Sequence, residues 1–248
     1  PRKELPMFPE YRDLITKLNL LPNLPPQFPL AQFGLSSSPD LATVASAFPL
    51  YISDPLQSQA AMAYLLIKNR VSTAITLGPD LNAVITGALS STTLRSPPLA
   101  FDFSHNDHRA GQAFMWSRIL STVDTLIGLL KAAEFDPVTH ESFWDRTLIY
   151  VATDFGRTRV RPSGSTSFGT GHDLNNGVLL ISPLVKGNTI LGGVDPLTTL
   201  TYGFDARTGQ AQVGKVTSNE ADIFSGVLTA MGVDTSGSGL PDASAFKV

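Results

Sequence analysis

The 248-residue chain contains no cysteine. Disulfides, thiolate metal ligands and cysteine nucleophiles are thereby excluded, and the absence is compatible with export. Histidine is scarce too: with four in the chain, any imidazole-based site has few places to be. Charge is low and balanced. A net charge of −3, a pI near 5.8 and the lack of any basic run leave no electrostatic footprint for nucleic acid or for an anionic membrane surface. Long apolar runs are missing as well. Stretches such as Val178 to Ile181 fall far short of the ~20 residues a membrane-spanning helix needs. No secretory leader is visible at Pro1-Arg-Lys-Glu, and a chain starting at Pro1 without Met is expected to be a processed product or part of a longer one.

What is present suits one large α/β domain, since 42% of residues are hydrophobic, enough for a sizeable core. Residues 1–34 hold seven of the eighteen prolines, which predicts an arm that packs over its own domain or against another subunit. Residues 35–234 are expected to form the domain itself. The Ser- and Gly-rich stretch 235–248 is expected to be a loosely held tail. Helix starts are marked at Ser38-Pro39-Asp40 and Ser53-Asp54-Pro55, the second opening a helix over 56–68. Val71 to Leu77 and Leu99 to Phe101 read as strands, and residues 81–95 fit either a weak helix or an irregular excursion. The clearest helix runs from Ala110 to Glu134, with Trp116, Leu120, Val123, Ile127 and Leu130 recurring at three- and four-residue intervals as its core face. Further on, strands are expected at 177–181 and 189–191, a hairpin turning at Asp205 to Gly209, and a helix from a Thr217/Glu220 capping box to Met231.

The chain is organised around Thr147-Leu-Ile-Tyr-Val-Ala-Thr-Asp154-Phe-Gly156-Arg157. An apolar, β-branched run ending in a carboxylate predicts a buried strand of a mostly parallel sheet with helices on both faces. The long helix before it is then a right-handed crossover, which brings Asp102 and Asp154 out on the same sheet edge, where ligands of open α/β sheets bind. Asp154 either serves chemistry there or caps the following turn. His105, His108 and His172 lie in two other loop-like stretches, Asp102-Phe-Ser-His105-Asn-Asp107-His108 and Gly171-His172-Asp173. Asp and neutral His are the donor set for zinc and related divalent ions, which need ligands converging from separate loops. His140 reads as a surface residue. Arg157 either clamps an oxyanion with its planar fork, pairs with a carboxylate such as Asp154 or Asp173, or is simply solvated.

In this order, Asp102 to His105, Asp-Phe-Gly-Arg-Thr from Asp154, and a Gly-His stretch before Asn175-Asn176-Gly177 resemble an uncharacterised bacterial family, domain of unknown function 1501. That family is related to the sulfatase and alkaline phosphatase superfamily. The resemblance spans about Val71 to Asp234 and takes in Val185-Lys-Gly187 and Met231-Gly-Val-Asp234. It implies an alkaline phosphatase-like fold lacking its N-terminal strand region, and a hydrolase of phosphate or sulfate esters dependent on a divalent metal: zinc, calcium or manganese. It implies Asp102, His105, Asp154 and His172 as ligands, with Arg157 contacting the oxyanion, in a periplasmic or extracellular protein of bacterial type. Three departures stand out: Asp102 and His105 are spaced one residue more widely than in the family, leaving His105 and His108 as alternatives; Phe155 stands where superfamily phosphatases carry a His ligand; and no N-terminal Asp and nucleophile stretch is found. These departures keep open the alternative of a catalytically silent structural or surface-binding protein.

Overall fold

The computed structural model describes residues 40–51, 54–78, 100–158, 161–165, 167–214 and 220–248. The Pro-rich arm over 1–34, the ambiguous stretch 81–95 and the Thr217 half of the capping box lie outside these residues. Internal contacts divide the chain into two compact units, up to Phe143 and from Trp144, within what the sequence suggested was a single domain.

The first unit is helical. Helix α1 covers Leu41–Ala47 behind Asp40, and α2 covers Pro55–Lys68, where the Asp54 carboxylate accepts from the Leu56 N–H and Pro55 supplies the first helical residue. A 3-10 helix, Ala100–His105, stands where a strand was expected, and Val71 to Leu77 is irregular rather than a strand. Helix α3, His108–Ala132, starts at Asp107, whose side chain accepts from Ala110 N–H at 3.1 Å. A short hairpin of β1 (Glu134–Asp136) and β2 (Glu141–Ser142) closes the unit, with exposed His140 at its turn.

Helix α3 packs on α2 and on the 3-10 helix, and its buried residues share only Leu130 with the face that its apolar spacing predicted. Its buried residues are Gly111, Met115, Arg118, Thr122, Leu126 and Leu130, while Leu120 is 42% exposed. Two polar residues sit on the core face because each has a partner there. The Arg118 guanidinium forms a buried ion pair with Asp54, and Thr122 Oγ1 donates to the Arg118 carbonyl at 2.9 Å. Leu120→Ala is therefore expected to cost under about 1 kcal/mol, not the ~2–5 kcal/mol of a core truncation. A large drop in the denaturation midpoint would show that Leu120 is covered. By length and composition α3 is also the one described helix able to cross a membrane, its polar residues being spread among apolar ones.

The second unit corrects the expected sheet. Strand β3, Ile149–Ala152, pairs with β6, Val178–Ile181, in antiparallel register from Ile149 opposite Ile181 to Ala152 opposite Val178. Strands β4 (Gly156–Arg157) and β5 (His172–Asp173) pair antiparallel, as do β7 (Gly193–Val194) and β8 (Thr201–Tyr202). Among the described residues every sheet has two strands and none is parallel. The architecture is thus not a parallel sheet flanked by helices, and not an alkaline phosphatase-like fold. Strand β3 alternates between half-buried and exposed residues, with Tyr150 48% exposed. That alternation belongs to a strand covered on one face, which antiparallel pairing permits and a parallel central strand does not.

The expected turn at Asp205 is present. The Asp205 carboxylate accepts from the N–H groups of Arg207 and Thr208, and Phe204 bridges Ala211. Bonds from Thr208 foremost hold the Asp205 carboxyl below its usual pKa. Helix α4 covers Glu220–Ala230. The tail is not loose: Ala243 and Phe246 are buried with Phe204 and Ala206, against Leu180 and Leu191, and the Lys186 N–H donates to the Phe246 carbonyl at 2.9 Å. Two apolar residues among the Ser and Gly suffice to dock it.

Candidate functional site

Asp102 and His105 lie on one 3-10 helix, and both are exposed. With three residues per turn, positions i and i+3 eclipse, so the two share a side of that helix. Between them Ser104 is fully buried and its hydroxyl accepts from Gln112 Nε2 at 3.0 Å, which docks the helix on the first turn of α3. Of the alternatives at this end, His105 closes the 3-10 helix and His108 opens α3.

Asp154 and His172 belong to the second unit. Asp154 is exposed and stands two residues past β3 and two before Gly156. Pairing of β4 with β5 sets Gly156 opposite Asp173 and Arg157 opposite His172. Alternation along the extended chain puts Phe155 and Arg157 on one side, the side His172 reaches from across the pair. The Phe155 and His172 rings stack at 3.7 Å between centroids, and the Arg157 guanidinium lies 5.5 Å from the Phe155 ring centroid, within cation–π range. Arg157 Nη1 donates to the Thr170 carbonyl at 3.2 Å, and Thr158 N–H donates to the Gly171 carbonyl at 3.1 Å, so both strands of the site are tied together beyond the two paired residues.

Phe155, which sequence comparison marked as a missing metal ligand, thus has a role of its own as the platform for His172 and Arg157. The signal was the two-residue spacing of Phe155 and Arg157, which period-2 geometry would have placed on one face. Gly156 was also undervalued. A Cβ at this position would lie 1.6 Å from the Asn175 carbonyl oxygen, so no other residue permits the close approach of β4 to the segment just past β5. Gly156→Ala is expected to destabilise the second unit by about 1–3 kcal/mol or more and to undo the Arg157–His172 register. An unchanged melting temperature together with unchanged ligand binding would contradict that geometry.

Among the described residues no group of three or more His, Asp or Glu side chains is placed to hold an ion. What the β4–β5 site offers is a guanidinium and an imidazole from opposed positions of the pair, both against the Phe155 ring, while the same alternation assigns Asp173 to the other face. Comparison with family models, with curated proteins and with solved structures returned no match for this chain.

Proposed function

We propose that the chain binds small anionic esters, phosphate or sulfate, at the β4–β5 site, and that it has no catalytic centre complete enough to turn them over alone. The observation that carries this reading is the placement of Arg157 opposite His172 across an antiparallel pair that Gly156 holds tight. Arg157 presents a planar fork suited to two oxyanion oxygens, and a ring nitrogen of His172 offers a second donor. The order of motifs that resembles the uncharacterised bacterial family supports esters over other anions. Hydrolysis through a covalent intermediate needs an activated nucleophile, and the only Ser next to a candidate residue, Ser104, is buried and bonded to Gln112.

Titration of the 248-residue chain with an aryl phosphate and an aryl sulfate should give saturable binding without turnover. Loss of one charge-assisted contact is worth about 1.5–3 kcal/mol, so Arg157→Ala should weaken binding roughly 10- to 100-fold at unchanged stability. Absence of saturable binding, or binding indifferent to Arg157, would exclude this function.

Metal-dependent hydrolysis of the same esters is the second reading, favoured by Asp154 and His172 flanking and joining a single strand pair. It requires turnover that appears with added zinc, manganese or calcium and that both Asp154→Ala and His172→Ala abolish.

A further inference from the structure

Where β3 ends and β6 begins, two side chains clamp the strands together. Thr153 Oγ1 donates to Asn176 Oδ1 at 2.7 Å, and Asn176 Nδ2 donates back to the Thr153 carbonyl at 2.7 Å. A third contact runs from the Gly177 N–H to the same Oδ1 at 2.8 Å. A backbone N–H can only donate, so this contact fixes which end of the Asn176 amide is oxygen. It also sets the Gly177 nitrogen beside the Cγ of the preceding side chain. Asn176 and Gly177 are both exposed, and nothing lies within 4 Å of where a Gly177 Cβ would be, so water reaches the amide and the backbone has room to turn.

These are the parts of an intramolecular acyl transfer. We propose that Asn176-Gly177 is a self-modifying site, at which the asparagine converts to aspartate and isoaspartate with Thr153 as oxyanion donor. Solvent removes the Gly177 amide proton, and the nitrogen attacks Asn176 Cγ. A new N–Cγ bond forms, and negative charge develops on Oδ1, the atom to which the Thr153 hydroxyl already donates. Collapse of this adduct breaks the Cγ–Nδ2 bond, Nδ2 takes a proton from solvent, and ammonia leaves. Water then opens the five-membered imide at either carbonyl. No oxidant, reductant or other reactant is needed. The donor is in place before charge appears, which is what makes such a contact effective in the transition state rather than the ground state.

Two consequences follow from the chemistry. A neutral amide becomes a carboxylate at Asn176, the clamp partner of Asp154's neighbour Thr153, so negative charge rises at the end of β3. The isoaspartate product, in addition, inserts a methylene into the main chain just ahead of β6, and loses the Nδ2–H donor to Thr153. Neither consequence rests on ester binding.

The test is peptide mapping of the intact chain after incubation at neutral and alkaline pH, with circular dichroism to show that it stays folded, against a synthetic peptide spanning residues 173–179. Conversion at Asn176 should rise with pH and run several-fold faster in the folded chain than in the peptide. Thr153→Val should bring it down to the peptide rate, Thr153→Ser should restore it, and Gly177→Ala should slow it in chain and peptide alike. Asn188, which precedes Thr189, serves as the internal control and should convert more slowly. Conversion in the folded chain no faster than in the peptide would overturn the proposal. So would a Thr153→Val chain, or a Thr153→Ala chain if the valine variant does not fold, that converts as fast as the unsubstituted chain.

Discussion

Asp54→Ala is expected to lower the stability of the first unit by roughly 4–6 kcal/mol, the largest loss from any single side chain described above. Asp54 does two things at once. Its carboxylate accepts from the Leu56 N–H and so caps α2, which is worth ~1 kcal/mol. It also neutralises Arg118, whose side chain is 5% exposed and donates to Asp54 through Nε at 3.3 Å and through Nη2. Arg118 Nη1 is buried with no acceptor, so the pair has nothing in reserve. Removing the carboxylate strands a guanidinium in the core, at about 3–5 kcal/mol. The double variant Asp54→Asn with Arg118→Met should recover most of that loss, because asparagine still caps the helix and methionine fills the volume without charge. Urea denaturation decides: a cost below ~1 kcal/mol for Asp54→Ala would mean that the pair is hydrated.

Phe246→Ala is expected to cost ~3–5 kcal/mol in the second unit, as a buried aromatic truncation. Phe246 is 6% exposed and packs on Phe204 with ring centroids 5.7 Å apart. Its ring lies so close to α4 that a Cβ on Gly226 would sit 2.5 Å from the ring's Cγ. Gly226→Ala should therefore act on the same contact from the other side, pushing the ring out of its seat. The two effects should combine to less than their sum, since an alanine at 226 has nothing to strike once the ring is gone. Strict additivity in thermal denaturation would show that they do not share a contact.

Local chemistry was legible in the sequence where a single short segment carries the whole signal. Asp54-Pro55 marked the start of α2, and Asp205 to Gly209 marked a turn, because a cap or a turn is satisfied within a few residues. The core face of α3 was misread because the apolar pattern has no term for Arg118, whose partner is 64 residues away and invisible to periodicity. The sheet was misread for a related reason. Ile-Tyr-Val-Ala is apolar throughout, so it cannot tell a strand covered on both faces from one whose Tyr and Ala face outward, and strand direction was inferred from that ambiguity. The candidate residues divide between the two units, Asp102 and His105 in one and Asp154 and His172 in the other. Phe155 was valued for what it is not, when its contribution depends on a cross-strand neighbour.

The docking of residues 243–246 bears on when the second unit can acquire a core during synthesis. Its hydrophobic centre joins Phe204 and Ala206 to Ala243 and Phe246, and β3 finds its partner only after the 155–176 excursion has closed. Such non-local pairings must meet loop-closure entropy before any burial repays it, which slows folding relative to a chain of local contacts. Helix α2 and helix α3, by contrast, can form and meet as soon as residue 132 is made. A nascent chain would therefore carry a formed first unit while the second waits, exposing the pairing edge of β3 until β6 is made and the apolar face of α4 until residue 246 has emerged.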